Sequence, residues 1–156
     1  MPSVLFVCTA NICRSPMAEA LLKEKVKNLP DAEKWHIASA GTWADDGNPA
    51  ALFTQQLLLE RGIDIRAHRS QPVSRDLLEE FNLILTMERN HKEALNIEFP
   101  EYAGRIFMIS DLTGVGYDIA DPIGGPLYDY EITLIELENL IERGFSRIVS
   151  LAQDPP

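Results

Sequence analysis

The sequence predicts an α/β fold: a single domain with a four-stranded parallel sheet and helices on both faces. Three observations predict it. Short strand-like runs at 4–7, 36–39, 83–85 and 106–109 alternate with longer segments of helical period. The run at 83–85 has no polar position, the pattern of a strand buried on both faces. The chain has 156 residues, enough for one sizeable core, with no repeat, low-complexity tract or linker.

Each element has its own signal. The run at 4–7 is apolar and β-branched and ends at Cys8. A helix follows from Pro16 to about Lys27, with Ala18, Leu21, Leu22 and Val26 at helical spacing. A second helix is predicted over 49–61, with Phe53 and Leu57 on one face and Gly62 as its stop. A short helix spans 88–95. Residues 110–129, with four glycines and two prolines, read as a long loop. A final helix runs from about Tyr130 to Leu151, carrying Leu134, Leu137 and Ile141; Gly144 is a soft point in it or its end.

Composition excludes several classes. A net charge of −10 argues against nucleic-acid binding. No stretch approaches the roughly 18 apolar residues of a membrane span, and the start lacks the basic region of a signal peptide. A cytoplasmic, monomeric protein without membrane contact is the expectation. Two cysteines five positions apart are a poor framework for a secreted fold. With three histidines at these spacings they make no zinc site, so neither metal nor cofactor is expected.

Residues 8–16, Cys8-Thr9-Ala10-Asn11-Ile12-Cys13-Arg14-Ser15-Pro16, carry the chemistry. Their order is strand, tight loop, helix N-terminus. Such a terminus presents unpaired N–H groups and the positive end of the helix dipole. A loop of this length curls its backbone N–H groups around one phosphoryl group. Arg14 adds a two-pronged, charge-assisted clamp. The field that attracts an anion also favours a thiolate, which would make Cys8 the nucleophile rather than an inert core thiol. Asn11 tolerates the left-handed backbone that a cupped loop needs. Ser15 either caps the helix or turns inward to the sulfur.

These residues resemble the low-molecular-weight protein tyrosine phosphatases, whose loop reads Cys-x4-Cys-Arg-Ser. The resemblance extends through Ser39-Ala40-Gly41-Thr42, Gly62-Ile63, Ala67-His68, Thr86-Met87-Glu88 and Asp121-Pro122, in family order. It implies strand order 2-1-3-4 and hydrolysis of phosphate monoesters through phosphocysteine. Asp121 would be general acid and then base, although Asp-Pro alone is turn chemistry. The loop residues Thr9, Ala10, Asn11, Ile12, Cys13 and Ser15 would bind the phosphate. Asn11, Ser15, Ser39 and His68 would form a network beneath it. Cys13 is either a small packing residue or the redox partner of Cys8. The expected partners are a phosphorylated protein or peptide and phosphate-like anions. His36 and His91 default to structural roles.

Specificity is read from the cleft walls. Trp43 matches the family's aromatic there, in a segment one residue shorter. After Pro122 come Ile123, Gly124 and Gly125, where the family usually has aromatics. Gly-Gly is similar to a bacterial branch acting on phosphoarginine, but that branch has Thr where this chain has Ile12. Ile12 suits an aryl ring and offers nothing to a guanidinium. Phosphotyrosine is therefore the first expectation and phosphoarginine the alternative. An arsenate reductase of the thioredoxin-coupled type needs further cysteines, and none follows Cys13. A sugar-transport phosphocarrier would hold phosphocysteine without needing Asp121 to activate water.

Overall fold

The computed structural model describes residues 1–153. Four strands, β1 (Ser3–Cys8), β2 (His36–Gly41), β3 (Leu83–Thr86) and β4 (Ile106–Met108), form one parallel sheet in the order β2-β1-β3-β4. The helices are α1 (Arg14–Val26), α2 (Leu52–Glu60), α3 (Arg75–Glu79), α4 (Arg89–Glu98) and α5 (Leu127–Ala152). Short 3-10 turns occupy Ala32–Lys34, Pro100–Arg105 and Ile109–Leu112.

β1 is central and wholly buried, so its side chains divide between two cores by strict alternation. Val4, Phe6 and Cys8 join the larger core with Met17 and Leu22 of α1 and Leu134, Leu137 and Ile141 of α5. Leu5 and Val7 join the smaller one with Leu78 of α3, Phe81 and Leu95 of α4. The pleat thus puts the Cys8 side chain on the α1 face. Cys8 pairs with Gly41 at the carboxyl end of β2, and Val7 with Thr86 at the end of β3. Loops after three strands converge there, where parallel sheets bind ligands.

Several boundaries differ from the sequence reading. α1 begins at Arg14, two residues before Pro16, so the arginine belongs to the helix's first turn. α2 begins at Leu52 instead of residue 49, because Ala51 is extended and its N–H is committed to the Ile12 carbonyl (2.9 Å). α3 went unpredicted; Ser74 caps it, accepting from the Leu77 N–H at 3.1 Å. α4 runs on to Glu98. α5 starts three residues before Tyr130 and passes straight through Gly144. A Cβ on Gly144 would lie 3.2 Å from Leu112 Cβ, so this glycine serves close packing rather than termination.

Candidate active site

The loop between β1 and α1 is turned inside out relative to a solvated loop. The carbonyl of Cys8 accepts from Thr42 N–H (2.9 Å), that of Thr9 from Trp43 N–H (3.0 Å), and that of Ile12 from Ala51 N–H. The Asn11 carbonyl accepts from His68 Nε2 at 2.8 Å, which fixes the His68 proton on that nitrogen. Among the described residues all peptides are trans, and across a trans peptide the next N–H points opposite to the carbonyl. Four outward carbonyls therefore aim the N–H groups of Thr9, Ala10, Ile12 and Cys13 at the concave side. Asn11, at φ 60°, makes the bend. Gly41 permits the close approach of β2, since a Cβ there would meet the Thr9 carbonyl at 2.3 Å.

Beneath the loop the polarity of one hydrogen-bond chain is fixed. The Gln71 backbone N–H donates to Asn11 Oδ1 (3.0 Å) and so orients the amide. Asn11 Nδ2 then donates to Ser15 Oγ (2.8 Å) and Ser39 Oγ (2.9 Å). Ser39 passes its proton to Glu19 Oε1 (2.6 Å). Ser15 Oγ, already an acceptor, lies 2.9 Å from Cys8 Sγ and 3.5 Å from the Ala40 carbonyl, which it can reach as a donor. Of the two roles open to Ser15, the inward one is adopted, and the N-cap position falls to Cys13 without a side-chain cap bond.

Arg14 is buried at 1 % exposure and needs partners for its charge. Nη1 donates to Glu88 Oε2 (2.8 Å) and to the Ile119 carbonyl (2.7 Å), using both of its protons. Nη2 lies 3.4 Å from Thr9 Oγ1 and 3.5 Å from Asp121 Oδ2. The edge left for an anion is thus the Nε/Nη2 side. Asp121 Oδ1 accepts the Ile123 N–H at 3.1 Å, so the turn role and an acid role coexist in one side chain.

Cys8, Ala10, Ile12, Cys13, Arg14, Asp121 and Ile123 enclose a narrow slot of ≈ 30 Å³. A wider hollow of ≈ 370 Å³ lies between α1 and the segment Ile63 to His68, and neither Cys8 nor Arg14 lines it. Trp43 does not line this slot: its backbone N–H holds the Thr9 carbonyl, and the residue is 85 % exposed. Ile123 faces Ile12's slot in its place. The Cys13 thiol donates to Tyr130 Oη at 3.8 Å, and burial pushes Cys13 up to about 11, so it remains protonated at neutral pH.

The sequence reading gave His91 a structural role by default and Glu88 no role beyond its place in the Thr86-Met87-Glu88 motif. They form a reciprocal cap on α4: the Glu88 carboxylate accepts from the His91 N–H, and the Glu88 N–H donates to His91 Nδ1 (3.1 Å). His91 Nε2 contacts Thr9 Oγ1 at 2.9 Å. Burial, then the Arg14 cation, pull His91 down to about 4. The spacing Glu-x-x-His at a helix start was the available signal. Among the described residues no group of His, Cys, Asp and Glu gathers to hold a metal ion, and no helix is long and apolar enough to cross a membrane.

Residues 3–153 match the family described as low molecular weight phosphotyrosine protein phosphatase. The chain is 40% identical to a protein-arginine-phosphatase of Geobacillus stearothermophilus over 141 residues, covering 90% of this chain and 91% of that one. It is 36% identical to low molecular weight protein-tyrosine-phosphatase PtpB of Staphylococcus haemolyticus, covering 88% and 94%. The crystal structure of a low molecular weight protein tyrosine phosphatase from T. tengcongensis superposes with a TM-score of 0.88 at 40% identity, covering 94% of this chain and 99% of that one.

Proposed function

As this chain belongs to the low molecular weight phosphotyrosine protein phosphatase family, we propose that it hydrolyses phosphotyrosine in proteins or peptides through a phosphocysteine on Cys8. The Cys8 thiolate attacks phosphorus while the bond to the phenolic oxygen breaks. Asp121 gives its proton to that oxygen. The ionised Asp121 then takes a proton from water as the water oxygen attacks phosphorus and the S–P bond breaks, releasing inorganic phosphate. Arg14 and the inward N–H groups carry the equatorial charge in both steps.

The observation that carries this reading is the slot itself. One narrow opening has the sulfur, the guanidinium and a carboxylate on its wall, with Ile12 and Ile123 above them. Two branched apolar side chains suit a flat aryl group and give a guanidinium no acceptor. A second reading, phosphoarginine, has its own support in the relative named protein-arginine-phosphatase and in the tight turn at Gly124, φ 79°. The deciding experiment is kcat/KM on phosphotyrosine, phosphoarginine and phosphoserine peptides, with Cys8→Ser as control. Phosphotyrosine should be preferred, and Cys8→Ser should lose turnover while still binding phosphate. Ile12→Thr should narrow the preference by about 10–200-fold. A wild type faster on phosphoarginine would reverse the order of the two readings.

Cys13 suits the role of resolving thiol. Peroxide would convert Cys8 to a sulfenic acid; the Cys13 sulfur would then displace its hydroxyl, forming the disulfide and releasing water. Mass spectrometry of the oxidised protein without a Cys8–Cys13 link would remove this role.

A further inference from the structure

We propose that the Thr9 hydroxyl donates a hydrogen bond to the bound phosphoryl group, and that His91 is the positioning residue that turns its proton there; this rests on the phosphatase reading above. A backbone N–H can only donate, so the Glu88 N–H at 3.1 Å requires a bare His91 Nδ1. The ring proton is therefore on Nε2, which donates to Thr9 Oγ1 across 2.9 Å. Arg14 Nη2 approaches the same oxygen at 3.4 Å. With both lone pairs occupied, Thr9 Oγ1 is left as a donor only. Its proton has to point away from the ring and the guanidinium.

That direction matters because of where the oxygen sits. Both Nη1 protons are spent on Glu88 and Ile119, so an anion meets the Nη2 side of Arg14. Thr9 Oγ1 lies beside Nη2. Among the described residues no acceptor takes the Thr9 proton. A threonine hydroxyl ordinarily rotates to suit its surroundings; here the buried His91, 2 % exposed, holds it in one sense. The alternative is that His91 merely caps α4. The two roles part at Thr9, which takes no part in the cap.

Isothermal titration with inorganic phosphate reads the loop without turnover. Thr9→Val should weaken phosphate by about tenfold or more, as expected for losing a hydrogen bond to a charged group, and Thr9→Ser should stay within about threefold of wild type. His91→Leu should approach Thr9→Val, and adding it to Thr9→Val should cost little more. On an aryl phosphate the loss should appear in kcat/KM with the same ordering. Wild-type phosphate affinity in Thr9→Val overturns the proposal, whatever becomes of the fold in His91→Leu. Multiplying losses in the double variant overturn the role of His91. A wild type that binds phosphate yet releases none from aryl phosphates would instead overturn the hydrolase reading and leave the donor in place.

Discussion

Two loops at one edge of the sheet wall the slot, and they are held in opposite ways. The segment from Cys8 to Ser15 is largely buried and tied down from outside: Thr42, Trp43, Ala51, His68 and Gln71 each hold one of its polar groups. The segment after Ile119 is held mainly by itself. Asp121 binds the Ile123 N–H, the Gly125 N–H reaches back to the Pro122 carbonyl at 2.9 Å, and Ile123 is 53 % exposed. The first must present several N–H groups and a cation to one anion, where an error of a few tenths of an ångström wastes the electrostatic gain. The second must admit a variable leaving group and let product out. Rigidity belongs to the charge-binding floor, and adaptability to the wall that touches what differs between substrates.

The comparison can be broken most sharply at Asp121. Asp121→Asn should lower kcat by about 10²–10⁴-fold on alkyl phosphates and much less on nitrophenyl phosphate. Equal losses on both would show that the self-held wall supplies no proton. Next in size is Glu88→Ala, which strips the buried Arg14 of its nearest carboxylate. Breaking a buried pair from one side costs about 3–5 kcal/mol. Inorganic phosphate should return part of it, since the anion binds only the folded loop. Denaturant melts with and without phosphate measure both.

The floor should also show in pH. His91 moves from its ordinary 6.5 to about 4 on folding. Between those values the unfolded chain binds more protons, so stability is full above about pH 6.5 and falls as pH drops towards 4. The loss should reach about 2–3 kcal/mol at the acid end. His91→Gln should flatten that slope relative to wild type; parallel curves would mean that the ring is not held neutral. The smallest effect is expected in the wall. Gly124→Ala should cost about 1 kcal/mol, because φ 79° suits glycine and no neighbour lies within 4 Å of an added Cβ. A change beyond that would mark the wall as stiffer than its turn implies.

The strands and the loop were legible because each rests on contiguous residues, whereas the order of the strands came only from the family resemblance. Apolar runs marked the strands, and Cys-x5-Arg followed by Ser-Pro marked the anion site. Trp43, expected in the slot wall, stands exposed outside its lining, because an aromatic near a cleft in sequence does not fix its place in the wall. The contacts of Glu88 and His91 with the loop escaped because they are remote in sequence: Arg14 lies 74 positions from Glu88, and Thr9 lies 82 from His91. A helix cap of Glu and His looks local until the other ends of those side chains are known. Gly144 reads as a helix breaker by propensity, and only the 3.2 Å approach of Leu112 reveals it as a packing position.

The place of β1 between β2 and β3 has a consequence for how the protein comes into being. A ribosome makes β1 before either neighbour. One edge of the strand waits for residue 36 and the other for residue 83, and the last partners of Arg14 and the acid arrive only at 119 and 121. Until then a wholly apolar run and an unsupported thiol belong to a nascent chain that has no second face to cover them. Shelter during synthesis falls to chaperones or to local collapse with α1. The nucleophile is made early, but the machinery that surrounds it is finished by the last quarter of the polypeptide, so a chain that stalls before that point carries a cysteine and no working site.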